Sequence, residues 1–342
     1  MVDTMTQKDR LIAAIRGDDV DITPVASITQ TGIEELMDAT GAAWPEAHRD
    51  PEKMTALARA AYDIIGFEGL RVPYCLTVLL EALGCEVTEG SKTRQPSIKS
   101  HPYKKESENI PAEVPDDLFE RGRIPVVLES IRMLARDGDG TVPIIAGAEG
   151  PITVASDLLE VTTFMKWSIK KRDVIERYVD YATDVVVEYA NALFDAGADV
   201  FALLDPVASP DLLSPRDFER LILPRYQDMS SRLNGDVVLH ICGDVTAILP
   251  QLAQTGFAAI SIEEKTDLAE AKRAFQNKTR IVGNVSTSQT IFRGTPTEVL
   301  DESAMALQKG TDVLAPGCGL APTSPVDNCK AMVIARNDYY DL

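Results

Sequence analysis

At 342 residues the chain is long enough for two domains, although closed α/β barrels of this size routinely form one, and a single domain over 1–342 is expected. Hydrophobic residues make up 45% and charged residues 25%, no apolar run reaches membrane-spanning length, and the start MVDTMTQKDR is polar, so a cytoplasmic globular protein is expected. A formal net charge of −19 repels phosphate backbones and argues against nucleic acid as a partner.

Residues 1–20, with TQKDRLIAAIRG, read as one helix ahead of the main repeat. Eight short apolar runs then read as strands: 24–29, 67–73, 143–148, 200–204, 237–242, 258–262, 280–285 and 312–315. They are nearly continuous in apolar residues, as expected of parallel strands covered on both faces. Longer amphipathic stretches separate them, with helices expected at 117–136, 172–196, 215–233 and 296–309. The glycines of DAGADV, QTGFAAI and QKGTDV stand where a helix ends before the next strand. Eight strand–helix repeats point to an α/β fold, a single (β/α)8 barrel, with an open doubly wound sheet as the rival. The polar stretch 89–115 reads as a loop insertion over the barrel mouth after the second repeat.

The chain has three histidines and five cysteines. His48 in PEAHRDP and His101 in KSHPYK sit in polar settings and read as surface residues. His240 lies inside the apolar run VVLHICG, two positions before Cys242. Residues two apart on a strand face the same side, so one tight element offers an imidazole and a thiolate to a single ion. Both fall at the carboxyl end of the fifth strand, the face where barrel active sites assemble. Cys318 follows the eighth strand between Gly317 and Gly319, which give the backbone freedom to turn a thiolate inward. One His and two Cys suit Zn2+ and leave a fourth position for catalysis. Cys75 and Cys85 read as packing residues in a helical region, and Cys329 as one on the last helix. At the same rim stand Asp205, in LLDPVASPD, and the pair Glu263 and Glu264, in ISIEEK. Alternation alone does not choose between the two glutamates.

The chain resembles the uroporphyrinogen decarboxylase-like superfamily and, within it, the methylcobamide:coenzyme M methyltransferases of methylotrophic methanogens. The resemblance runs from TQTGIEELMDATGAAWPEAH through EGPITVASDL, DPVASPDL, LHICG, ISIEEK and IVGNVS to VLAPGCG. The stretches VASITQTGIEELMD and SDLLEVTTFMKWSIKK are more similar to the methanol-specific branch than to the methylamine branch. The resemblance implies one zinc per chain on His240, Cys242 and Cys318, with Glu263 as fourth ligand and catalytic residue. It further implies transfer of a methyl group from a methylated corrinoid protein to coenzyme M, with the corrinoid carried by that partner. Asn284, Ser286 and Thr287, in GNVSTS, are candidates to hold the substrate sulfonate, or else form an ordinary helix cap. Alternatives are another thiol acceptor or the methylamine pathway on the same fold, a metal-free porphyrinogen decarboxylase, and a zinc-stapled subunit without activity. The segment TPVASITQTGIEELM lacks the arginines with which a decarboxylase grips its substrate.

Overall fold

The computed structural model describes residues 5–104 and 109–342. The first four positions of the expected leading helix and positions 105–108 of the expected insertion lie outside the described residues.

Seven parallel strands form the sheet, ordered β1 (Leu70–Val72), β4 (Ile144–Glu149), β5 (Val200–Leu204), β6 (Asp236–His240), β7 (Ala259–Ser261), β8 (Arg280–Val285) and β9 (Val313–Pro316). Two further strands, β2 (Glu86–Val87), just before the insertion, and β3 (Ile98–Ser100), within it, pair antiparallel. The stretch 89–115, expected to be a loop, therefore contributes one strand to a hairpin.

The eighth place in the ring belongs to the segment around Val25, which bridges Leu314 in parallel. Ala26 N donates to Leu314 O at 3.1 Å, and Glu68 N donates to Val25 O at 2.7 Å, so the segment touches both edges of the sheet. The strand expected over 24–29 is no longer than this because its later residues bond elsewhere. The hydroxyls of Ser27 and Thr29 lie 3.2 Å apart, and Thr29 Oγ1 donates to Cys318 O.

Every residue of β4 and β5 is buried, which agrees with their uninterrupted apolar sequences. One apolar cluster lies between strands and helices; a second fills the barrel with Ile145, Ala202, Val238, Ala259 and Val313. Helix Gln7–Arg16, capped by Thr6 and closed by Gly17 at φ +88°, adds Leu11, Ala14 and Ile15 to the inner cluster. Its Arg16 pairs with Asp236 at the start of β6, so the helix plugs the amino end of the ring. Helices Arg172–Asp195 and Pro296–Gln308 agree with expectation. The helix expected from 117 starts at Ile124, because Gly122 takes a left-handed φ of +52° and interrupts the preceding turn.

The parallel register aligns Leu204 with His240, and His240 with Ser261. Residues leaving these strand ends therefore gather at one rim.

Candidate metal centre

His240 is the last residue of β6, and Cys242 lies two positions further, in the loop that Gly243 turns with φ +89°. The strand ends sooner than expected, yet the two side chains converge: Cys242 Sγ is 3.4 Å from His240 Nε2. Cys318, in the loop after β9, brings its Sγ to 3.8 Å from that of Cys242. Glu263 follows β7 by two residues. Ligand atoms of His240, Cys242, Glu263 and Cys318 all lie within 4.8 Å of one another.

Close approach explains the glycine at 317. A Cβ there would sit 3.2 Å from Glu263 Cα and 3.3 Å from Glu264 Oε2, so a larger residue would push the two loops apart. The sulfurs interact strongly. Pairing with Cys242 holds the Cys318 thiol well below the usual range, while the same pairing and burial push Cys242 up. His240 Nδ1 faces Ser261 Oγ at 3.1 Å, and Lys265 Nζ lies 3.4 Å from Glu263 Oε2. An imidazole nitrogen, two sulfurs and one carboxylate make a donor set that fits zinc.

The structure separates the two glutamates. Glu263 joins the cluster, whereas Glu264 accepts a hydrogen bond from Ser286 Oγ at 3.0 Å. Asn284 Nδ2 donates to the carbonyls of Glu263 and Thr266, both at 3.1 Å, and so holds the loop that presents Glu263. Ser286 caps the turn Thr287–Ile291 by accepting from Gln289 N. The side chains of Asn284 and Ser286 are thus taken up by these contacts, and neither they nor Thr287 line the cavity described below.

Asp205, the other candidate for substrate binding, is completely buried and does not reach the cavity. Its carboxylate accepts from Ile152 N, Thr153 N, Thr153 Oγ1 and the Tyr226 hydroxyl at 2.6–3.1 Å. It therefore caps helix Pro151–Leu159, and burial raises its pKa to about 6.

Expectations about four residues need correction. His48 is not a surface residue: it is 1% exposed, stacked 4.9 Å from Trp44 and 6.2 Å from Tyr74, and burial lowers its pKa to about 3. His101 is half-buried, with Nδ1 against Asp157 O. Cys75 and Cys85 flank the five-residue helix Val78–Ala82 without belonging to it. Cys75 also faces the site, because it helps line the cavity beside the cluster. Cys85 and Cys329 are buried packing residues.

That cavity, about 190 Å³, opens beside His240, Cys242 and Cys318. Gln95, from the insertion, reaches its wall, as does Arg71 of β1. Sequence reasoning overlooked both. The signal for Arg71 was present, since it is a lone charge in the apolar run GLRVPYC.

A closed parallel ring with soft donors gathered at its carboxyl rim has the organisation of a barrel enzyme built to hold a metal. The model of the uroporphyrinogen decarboxylase (URO-D) family matches residues 6–339. The methylcobamide:CoM methyltransferase MtaA of Methanosarcina barkeri is 52% identical over 336 residues, 98% of each chain. The methylcobamide:CoM methyltransferase MtbA of Methanosarcina mazei is 35% identical over 338 residues, also 98% of each. A solved structure described as a methyltransferase from Methanosarcina mazei superposes with a TM-score of 0.95 at 52% identity, covering 98% of this chain and 99% of that one. The chain belongs to the URO-D family and, within it, groups with the methylcobamide:CoM methyltransferases.

Proposed function

We propose that residues 1–342 act as one catalytic unit that moves the methyl group of a methylated corrinoid protein onto the thiol of coenzyme M. The observation that carries this reading is the convergence of His240, Cys242, Glu263 and Cys318 beside a cavity at the carboxyl rim. The relatives support the class of reaction, since their names give a methylcobamide donor and CoM as acceptor. Greater identity to MtaA than to MtbA, 52% against 35%, joins the sequence resemblance in favouring the methanol pathway.

His240, Cys242 and Cys318 would hold one zinc per chain, with Glu263 in the fourth position. Zinc bound there supplies the acidity that keeps a substrate thiol as thiolate at neutral pH. Cys242 and Cys318 contribute negative charge, so an incoming sulfur stays electron-rich and nucleophilic. The carboxylate of Glu263, the hardest and weakest of the four donors, would be the one to give way to an arriving thiol and is placed to take up its proton. Ser261 holds the His240 ring. The sulfur–methyl bond then forms as the cobalt–carbon bond breaks, and that electron pair stays on the corrinoid cobalt. A cavity of about 190 Å³ accommodates a small thiol and is too small to enclose a corrinoid, so the methyl donor would be presented at the mouth, by its carrier protein or as free methylcobalamin.

Among the described residues no helix is long and apolar enough to cross a membrane. The net charge of −19 disfavours nucleic acid as a partner, and the reading takes a methylated corrinoid protein as the partner and the cytoplasm as the location.

The decisive assay offers methylcobalamin as donor, with coenzyme M and homocysteine as competing acceptors. Methylation of coenzyme M in preference to homocysteine is expected. Methylation of homocysteine alone, or of neither thiol by zinc-loaded protein, overturns the reading.

A further inference from the structure

Arg71 is 2% exposed and projects from β1 into the barrel interior. Its guanidinium donates to three carbonyls: Ile28 O at 2.6 Å, Val72 O, and Pro73 O at 2.8 Å. All three lie where the first two elements of the ring end, and they hold the group at the floor of the mouth. Gly147 of β4 makes room for it: a Cβ at that position would sit 2.2 Å from Arg71 Nη2. None of the three bonds uses Nη2, and no carboxylate pairs with Arg71 among the described residues.

A buried guanidinium without a counter-ion is costly, because carbonyl dipoles offset only part of its lost hydration. Burial lowers its pKa only to about 10, so it stays charged at neutral pH. The groups around it are Tyr74, Cys75, Tyr189 and Glu149. Burial raises the pKa of Glu149 to about 8, which leaves that carboxyl largely protonated and unable to neutralise the arginine. Among the described residues, Arg71 is also the one Lys or Arg side chain that lines the cavity shared with His240, Cys242 and Cys318. The remaining polar wall is already committed in part, since Gln30 accepts from Gly32 N and donates to Leu320 O.

We propose that Arg71 is the anion anchor of the acceptor site and binds the sulfonate of the thiol substrate while its sulfur faces the metal ligands. This rests on the reading of a thiol acceptor above. With Nε and Nη1 committed to carbonyls, Nη2 is the nitrogen left to make a charge-assisted hydrogen bond to a sulfonate oxygen. Arg71 and the ligands His240, Cys242 and Cys318 line one cavity, which a two-carbon thiol would span. Selection for coenzyme M over neutral thiols then follows from one buried charge.

The test compares acceptors on zinc-loaded protein with methylcobalamin as donor. In Arg71→Gln the KM for coenzyme M should rise about 10- to 100-fold. The KM for 2-mercaptoethanol, which has a hydroxyl in place of the sulfonate, should change far less. Calorimetry gives a readout independent of turnover: ethanesulfonate should bind wild type and lose that binding in Arg71→Gln, with zinc content unchanged. Because Arg71 also ties three carbonyls, the variant must first show a wild-type circular dichroism spectrum. If it does not fold, the wild type still decides, since ethanesulfonate should compete with coenzyme M and uncharged dimethyl sulfone should not. Equal KM increases for both thiols, or equal inhibition by sulfonate and sulfone, overturn the proposal while leaving thiol methylation intact. Failure of wild type to methylate either thiol would instead overturn the underlying function.

Discussion

Ser261 Oγ stands 3.1 Å from Nδ1 of His240, on the neighbouring strand at the same register. With Nδ1 donating to the serine, Nε2 keeps its lone pair on the side where Cys242 Sγ lies. Ser261→Ala should therefore lower zinc affinity about 10- to 100-fold, the usual effect of removing such a support. Chelator competition measures this directly, and unchanged affinity would deny Ser261 its role.

The thiols sort into two groups. Cys242→Ala or Cys318→Ala should abolish tight zinc binding and activity together, because each removes a soft donor from a set of four. Cys85→Ala and Cys329→Ala should retain zinc, as both sulfurs are packed away from the centre. Metal analysis of the purified variants checks both halves, and loss of zinc in Cys329→Ala would show that the wrong thiol had been assigned.

Glu263→Gln should retain most zinc yet activate the thiol less well, because three stronger ligands remain while the exchangeable carboxylate is gone. Glu264→Gln, which alters the contact with Ser286, should behave like wild type. Zinc X-ray absorption of the wild type should show one light scatterer replaced by sulfur when coenzyme M is added. A shell that keeps two sulfurs at saturating thiol would mean that Glu263 does not yield.

A pH effect follows from Glu149, which is 1% exposed and whose Oε1 lacks a hydrogen-bond partner. Burial raises its folded pKa from the ordinary 4.5 to about 8. Between those values the folded state keeps a proton that the unfolded chain releases, so rising pH favours the unfolded chain across that window. The cost is on the order of a few kcal/mol and is complete above pH 8. Glu149→Gln should remove this slope. Urea unfolding at pH 5 and pH 8 should show the variant gaining stability relative to wild type at the higher pH, and parallel losses in both proteins would exclude the effect.

Much of the fold and centre was legible because the signals were local and strong. Uninterrupted apolar runs such as VFALL and PIIAGA leave parallel strands as the economical reading, and the strand-end pair His240–Cys242 needs only side-chain alternation to share a target. The first strand was overestimated because PVASIT looks uniform, while the hydroxyls of Ser27 and Thr29 turn away to bond each other and Cys318 O. His48 was misread because its polar sequence neighbours conceal the rings of Trp44 and Tyr74 that bury it. The helix-capping role of Asp205 was invisible for a related reason: its partners Thr153 and Tyr226 are remote in sequence. Alternation left Glu263 and Glu264 open and only the family resemblance pointed to Glu263; in the structure Glu263 joins the cluster while Glu264 bonds Ser286.

The closure at Val25 bears on the order of assembly during synthesis. The ring is completed by the bond between Ala26 and Leu314, and the last sulfur of the centre belongs to Cys318. Until Leu314 has left the ribosome, the growing sheet has an open edge at β8 and nothing to pair with the segment around Val25. Metal capture and ring closure thus await the same few residues, and a nascent chain stalled before them would expose an unpaired parallel edge, the state in which strands of separate molecules most readily join.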